Sequence, residues 1–166
     1  MDALIRAPMR HTRYQGAIIQ DDKMLLIRHT EHASGRSYWV IPGGGREAGE
    51  TEMACVKREM WEETNLTVHV ERLLVETAIP NDPFNKTRKT YLCHIVAGQA
   101  APGYEPEADA AALYAITEVA WFDLRSEEYW EASIFDNYIA YPMLQEIRRT
   151  LGYDSPVAIK TEVDPK

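Results

Sequence analysis

The sequence predicts a single α/β domain, and three observations carry that prediction. Short apolar runs bounded by polar turns recur along the chain, as the strands of a sheet do. Between them a glycine-rich turn opens into an amphipathic helix whose apolar stripe needs a sheet to dock on. The 166 residues, 45% of them hydrophobic, suffice to bury one proper core, and no internal repeat divides them.

Taken in order, residues 1–12 are mixed in composition and read as a lead-in. QGAII, the polar turn Gln20-Asp21-Asp22-Lys23 and MLLIR form two strands joined by a tight connection. HTEHASGRS, residues 29–37, is polar with a central glycine and reads as a surface loop, with His29 and His32 as solvent histidines. Tyr38 to Ile41 is a short strand delivering the chain to Pro42 and Gly43. Leu66 to Thr77 alternates around Val68 and Val70 as a half-buried strand. AIPNDPFNKTRK follows as a loop or long hairpin tip, in which Lys86, Arg88 and Lys89 are candidates for a terminal phosphate or sugar phosphate, with a solvated charge cluster as the preferred reading. TYLCHIVA is a strong strand, GQAAPGYEPEADA is loop-like, and EVAWFDL returns to the sheet. From Ser126 the chain turns helical, with Trp130, Ile134 and Tyr138 at helical spacing. Pro142 kinks that helix or starts a second one ending near Leu151. The first 153 residues make the domain, and 154–166 read as a flexible tail.

Composition narrows the function. The amino-terminal MDALIRAPMRHTRYQ lacks the apolar segment of a signal peptide, and no run approaches membrane-spanning length. A cytoplasmic protein is expected, with no membrane partner. Cys55 and Cys93 lack metal-type spacing and read as buried free thiols. The net charge of −8 argues against broad nucleic-acid binding. It leaves room for a small phosphorylated substrate, since bound metal ions reverse the field around a carboxylate cluster.

The stretch Gly44–Leu66, GGREAGETEMACVKREMWEETNL, is where chemistry concentrates. At about 100° per residue, Met53, Val56 and Met60 fall on one apolar stripe. Glu63 lies about 40° from Glu59, and Glu59 about 60° from Glu62, by the same arithmetic. Three carboxylates on one arc near a helix C-terminus repel one another unless a cation sits among them. Hard Mg²⁺, or Mn²⁺ in its place, suits such oxygens.

These residues resemble the box of the Nudix hydrolase family: Gly, five residues, Glu, seven residues, Arg-Glu, an apolar residue, any residue, Glu-Glu, any residue, Gly, an apolar residue. Gly44, Glu50, Arg58, Glu59, Met60, Glu62, Glu63 and Leu66 all fall in place. Asn65 departs, standing at the final glycine. That position follows the helix and calls for positive φ, where Asn is the substitution that costs least.

The resemblance implies an α/β/α sandwich with a mixed sheet, the box helix on one face and the C-terminal helix on the other. It also implies hydrolysis of a nucleoside diphosphate linked to a further group X. By the same carry-over Glu59 and Glu63 are metal ligands, Glu62 is a further or water-mediated ligand, and the Gly44 carbonyl completes the set. Arg58 is implied to hold a box glutamate through charge-assisted bonds. Glu50 either meets Arg58 or favours the helix N-terminus. The general base is Glu62 or a carboxylate of the later loop, Glu107 with Glu105 beside it. Arg28 and Arg36 are candidates for substrate phosphate, with Gly43 and Glu50 as further substrate-side positions; for both arginines surface pairing is the bland alternative.

For X the signals are loose. Some ADP-ribose hydrolases of the family carry a proline a little past the box, where Pro80 and Pro83 stand. Some dinucleoside-polyphosphate hydrolases carry a tyrosine there, and here the nearest aromatic is Phe84. The alternatives to a hydrolase are a nucleotide-binding module of the same fold without catalysis and an isoprenoid-diphosphate isomerase. The first would be expected to lack box carboxylates, and the second would need Cys55 or Cys93 as its catalytic thiol. The family's frequent dimers keep a homodimer open.

Overall fold

A computed structural model describes residues 11–153 of the chain. The tail after Tyr153 lies outside the described residues. Strand β1 (Thr12–Gln20) turns into β2 (Lys23–Glu31) through Asp21 and Asp22, both at positive φ, 52° and 62°. Two left-handed residues make the primed turn whose twist matches the flanking strands, so the polar pair was selected for its backbone. β3 (Ser37–Val40) pairs antiparallel with β2, and the two-residue β4 (Gly43–Gly44) lies antiparallel on β1. After helix α1 (Glu52–Thr64), β5 (Thr67–Ala78) and β6 (Thr87–Ala97) form a long antiparallel pair, and β6 runs parallel to β1. A short helix α2 (Ala108–Leu113) precedes β7 (Tyr114–Asp123), which pairs with β2, and α3 (Ala140–Thr150) closes the described chain. The mixed arm β4-β1-β6-β5 and the antiparallel arm β3-β2-β7 meet at the β1–β2 hairpin.

Strand alternation divides the core in two. Ile18 and Leu25 face the α1 side, where they join Val56, Met60, Val68 and Cys93. Their neighbours Ala17, Met24 and Leu26 face the other side, with Phe122, Leu144 and Ile147. A sheet with α1 on one face and α3 on the other is the α/β/α sandwich expected. Leu144 and Ile147 are fully buried, each contributing about 1.5–3 kcal/mol relative to exposure. Both cysteines are buried free thiols; burial pushes each up to about 12, which keeps them protonated.

Four sequence readings are corrected. The polar segment after Arg28 is not loop from its start, because β2 continues to Glu31 along the ladder with Tyr114 to Ile116 of β7. Long-range pairing overrides local polarity there, and His29, read as a solvent histidine, is 5% exposed. Residues 126–138 hold no α-helix, only a 3-10 turn over Ala132–Ile134. Trp130 and Ile134 are buried, but Tyr138 is exposed, so the helical spacing came from a looped segment that happens to present two apolar anchors. Asn137 ends that segment: its Oδ1 accepts the amides of Ile139 and Ala140 while its Nδ2 donates to the Trp39 carbonyl. The helix starts beyond it, and Pro142 sits in its first turn, where a missing N–H costs little. In the hairpin, the strands reach Ala78 and resume at Thr87, which places Arg88 and Lys89 in β6 rather than at a solvated tip. On α1, Met53 is exposed while Val56, Met60 and Glu63 are buried; the flank of the stripe that the sheet covers is the carboxylate flank.

Candidate active site

The box helix is fastened at both ends by its own sequence. Thr51 caps the start, its hydroxyl accepting the Ala54 amide at 3.1 Å. Asn65 ends it at φ 62°, as the left-handed stop requires. Before the helix, two glycines are needed for close approach. A Cβ at Gly43 would lie 2.2 Å from the Tyr14 carbonyl across the β1–β4 pairing, and one at Gly44 would meet the Glu59 carboxylate at 2.4–2.8 Å. The peptide at Gly44 is thereby pressed against Glu59, and the Gly43 amide donates to Glu63 Oε2 at 2.8 Å.

Arg58 is the hub of the helix face. It grips Glu50 in a two-bond fork, Nε to Oε1 at 2.7 Å and Nη2 to Oε2 at 3.0 Å. Nη1 reaches Glu59 Oε1 at 3.0 Å and Glu62 Oε2 at 3.1 Å, and Nη2 donates to the Gly45 carbonyl at 3.0 Å. Of the two roles open to Glu50, the structure places it on Arg58, whose bonds hold its carboxyl below the usual range. Glu63 is 1% exposed, and burial pushes its carboxyl well above the ordinary value. Burial also raises Glu59, to about 7, against the pull of Arg58 and Arg13. Glu62 is raised by burial too, with Arg58 opposing. One guanidinium therefore serves a cluster with more carboxylates than it can neutralise.

The loop after β6 is tied to the same helix end. The last carbonyls of α1 have no intrahelical partner, and they are taken by Ala101 N–H to Thr64 at 3.0 Å, Gly103 N–H to Glu63 at 2.9 Å and Tyr104 N–H to Glu62 at 3.0 Å. A Cβ on Gly103 would strike the Glu62 carbonyl. The next residue but one, Glu105, is held by the Tyr114 hydroxyl at 2.9 Å, and its charge raises both Glu62 and Glu63. Glu107, the loop carboxylate singled out from sequence, stands at the start of α2, its amide donating to Glu105 Oε1 at 3.1 Å. Glu105 is thus a loop carboxylate whose charge is felt by two box glutamates.

Arg28 and Arg36 are placed on the antiparallel arm. Arg28 pairs with Glu118 at 3.1 Å and lies over the Trp39 ring, and Arg36 pairs with Glu31 at 3.3 Å over Tyr38. A cation nearer the carboxylates than these, Arg13, was missed by sequence. Arg13 donates to the Ile41 carbonyl at 3.2 Å and opposes the rise of Glu59 and Glu63. With Arg88, His29, Tyr114 and Phe84 it lines a pocket of about 220 Å³. Apart from the cation cluster of the hairpin, no local signal marks these residues, since β1, β2, the β5–β6 hairpin and β7 bring them together from four stretches of chain.

A model of the NUDIX domain matches residues 10–139. The chain belongs to the NUDIX family. Among curated relatives of this NUDIX chain, the NAD-capped RNA hydrolase NudC of Vibrio atlanticus is 33% identical over 112 residues, 66% of this chain and 36% of that protein. Among solved structures, an ADP-ribose pyrophosphatase from Streptococcus suis superposes with a TM-score of 0.57 at 21% identity, covering 89% of this chain and 95% of that one. A NUDIX hydrolase from Nitrosomonas europaea gives 0.64 at 21% identity over 90% of this chain and 74% of that one. At such identities the structures establish the fold. The chain spans less than half the length of the curated relatives it matches.

Nudix hydrolases generally use divalent metal ions, and the donors of this NUDIX box suit one. Buried carboxylates, one of them packed against the Gly44 backbone, are hard oxygen ligands in surplus over their counter-charge. Among the described residues, however, no three acidic or imidazole side chains converge as a ready ligand set. Glu59 and Glu62 turn to Arg58 and Glu63 to the Gly43 amide, so holding a cation requires carboxylate rotation. Among the described residues, no helix is long and apolar enough to cross a membrane.

Proposed function

We propose that this chain acts in the cytoplasm as an Mg²⁺-dependent pyrophosphohydrolase, with Mn²⁺ able to substitute, cleaving the diphosphate of a nucleoside diphosphate linked to a group X. The observation that carries this reading is the pair of buried, raised carboxylates, Glu59 and Glu63, set beside the Gly44 peptide. Glu59, Glu63 and the Gly44 carbonyl hold the cation, with Glu62 as a further ligand. When bound, the ion neutralises diphosphate charge and favours an attacking hydroxide. Arg58 is a positioning residue: its fork to Glu50 fixes the guanidinium, which in turn orients Glu59 and Glu62.

For the general base we propose Glu105 in place of Glu107 or Glu62. It sits on a loop tethered to the carbonyls of Glu62 and Glu63 and is oriented by the Tyr114 hydroxyl, a support that keeps a carboxylate within reach of a water beside the box. The substrate is small and nucleotide-like. The ADP-ribose pyrophosphatase and NAD-capped RNA hydrolase names among the similar proteins define the substrates to try first.

The test is a product-release assay with Mg²⁺ or Mn²⁺ against ADP-ribose, nucleotide sugars, dinucleoside polyphosphates, (d)NTPs and NAD-capped RNA, with Glu63→Gln as control. Turnover of at least one substrate that vanishes in Glu63→Gln is expected. Tight nucleotide binding with no turnover of any of them would replace the hydrolase with a binding module.

A further inference from the structure

Among its described lining residues, the pocket beside the box has more positive charge than its carboxylate balances. Arg88 projects from β6 with its side chain 12% exposed, and its carboxylate partner, Asp82, stands off at 3.8 Å. The other Asp82 oxygen is already taken by the amides of Phe84 and Asn85, both at 2.8 Å. Arg88 Nε is buried with no hydrogen-bond partner among the described residues, and so is His29 Nε2, which also lines the pocket. Arg13, the second guanidinium of the pocket, bonds only the Ile41 carbonyl among the described residues. Among the described residues of the lining, these two arginines have a single carboxylate, Asp82, 3.8 Å from Arg88.

Unsatisfied buried donors of this kind are costly unless a ligand completes them. A guanidinium's planar fork matches the oxygens of a phosphate. The volume of about 220 Å³ is below the 300–1,000 Å³ of pockets that enclose a whole drug-sized ligand, so a fragment is received and the rest of the molecule lies outside. Exposed Phe84 and half-exposed Ile139 on the lining offer apolar surface for the carbon skeleton that carries the anion.

We propose that this pocket is a sugar-phosphate subsite: Arg13 and Arg88 receive a phosphate of the substrate, with its sugar against Phe84 and Ile139. Arg88 is then a specificity-determining residue, favouring an X group that bears a phosphate over a neutral one. The hydrolase reading supplies only the identity of the molecule that carries this phosphate.

Calorimetry on the full chain in metal-chelated buffer separates the two ideas, because no turnover is needed. Ribose 5-phosphate, ribose and inorganic phosphate are titrated into the wild-type protein, Arg88→Met and Arg88→Lys, with thermal melts to confirm folding. Ribose 5-phosphate is expected to bind at least about tenfold more tightly than ribose, a preference that Arg88→Met abolishes and Arg88→Lys, keeping charge without the fork, reduces in part. Equal binding of ribose and ribose 5-phosphate, or an undiminished preference in Arg88→Lys, overturns the subsite. Inorganic phosphate binding as tightly as ribose 5-phosphate overturns its sugar half. If the expected pattern holds while no substrate is turned over, the pocket stands and the hydrolase reading fails; turnover with a flat binding pattern means the reverse.

Discussion

The carboxylate face of α1 and the arginine pocket beside it are opposites in charge and in origin. The first is negative and comes from one stretch, Gly43–Glu63, whose members meet through helical spacing and one arginine fork. The second is positive and is assembled by β1, β2, the β5–β6 hairpin and β7 from residues far apart in sequence. Each region holds charge that its own side chains do not balance. Arg13 links them, lining the pocket while its field reaches Glu59 and Glu63. The comparison teaches that a site can be half local and half tertiary, with each half completed by a different part of one bound molecule.

The largest effect expected separates the two loop carboxylates that border both regions. Glu105→Gln should lower kcat by about 10²–10⁴-fold, the usual contribution of a positioned base, with KM little changed. Glu107→Gln should stay within about threefold of wild type if its role is confined to the start of α2, a difference of well under 1 kcal/mol in barrier. Steady-state kinetics on the preferred substrate checks both, and the reverse ranking would return the base to Glu107.

Next comes the hub. Arg58→Met removes the partner of Glu50, Glu59 and Glu62, and uncompensated carboxylates in such settings cost about 3–5 kcal/mol. The low end is expected because the Arg58 side chain is 20% exposed. Denaturant unfolding of the metal-free protein should record the loss, and stability equal to wild type would mean that the fork is ornamental.

His29 probes the pocket side through pH. Burial, aided by the Arg13 charge, depresses it from 6.5 to about 3, and its ring is stacked 4.0 Å from Tyr114. The neutral form is favoured in the folded state, so its contribution is present above the unfolded value near 6.5 and is lost as pH falls toward 3. Between pH 7.5 and 5 the melting temperature should drop more in wild type than in His29→Gln, which has no charge to acquire. Identical drops would remove His29 from the account.

These contrasts show what the sequence made legible. The box helix, its left-handed stop at Asn65 and both thiols were readable because each depends on local spacing or on alternation within one strand, whereas the sandwich was readable through the family resemblance of the box. His29 was misread because its neighbours Thr30, Glu31 and His32 are polar, and only pairing with β7 reveals the burial. Arg88, one of three cations offered for a terminal or sugar phosphate, was preferred as a solvated tip for a related reason: the hairpin strands extend further than their local composition suggests. Residues 126–138 imitated a helix with Trp130 and Ile134, which are anchors of an irregular segment. Glu107, with Glu105 as its neighbour, drew attention for lying in a Gly/Pro-rich segment, and only the amides that tie that loop to α1 bring Glu105 forward beside it.

The smallest effect belongs to Asn65. Asn65→Gly loses the Nδ2 bond to the Gln99 carbonyl at 3.1 Å and relieves a non-glycine residue from positive φ. The two changes should cancel to within about 0.5 kcal/mol in thermal melts. A loss well beyond that would make the Gln99 contact a true fastener of the loop that carries Glu105.

The central claim is that the carboxylate face holds a divalent cation, and direct Mn²⁺ binding is its most immediate test. Calorimetric titration of Mn²⁺ into the metal-free protein near pH 7.5 should give a saturable isotherm that Glu63→Gln reduces at least about tenfold, since the amide keeps the shape of the ligand without its charge. A Glu63→Gln isotherm matching wild type would contradict the account, whatever the enzyme turns over.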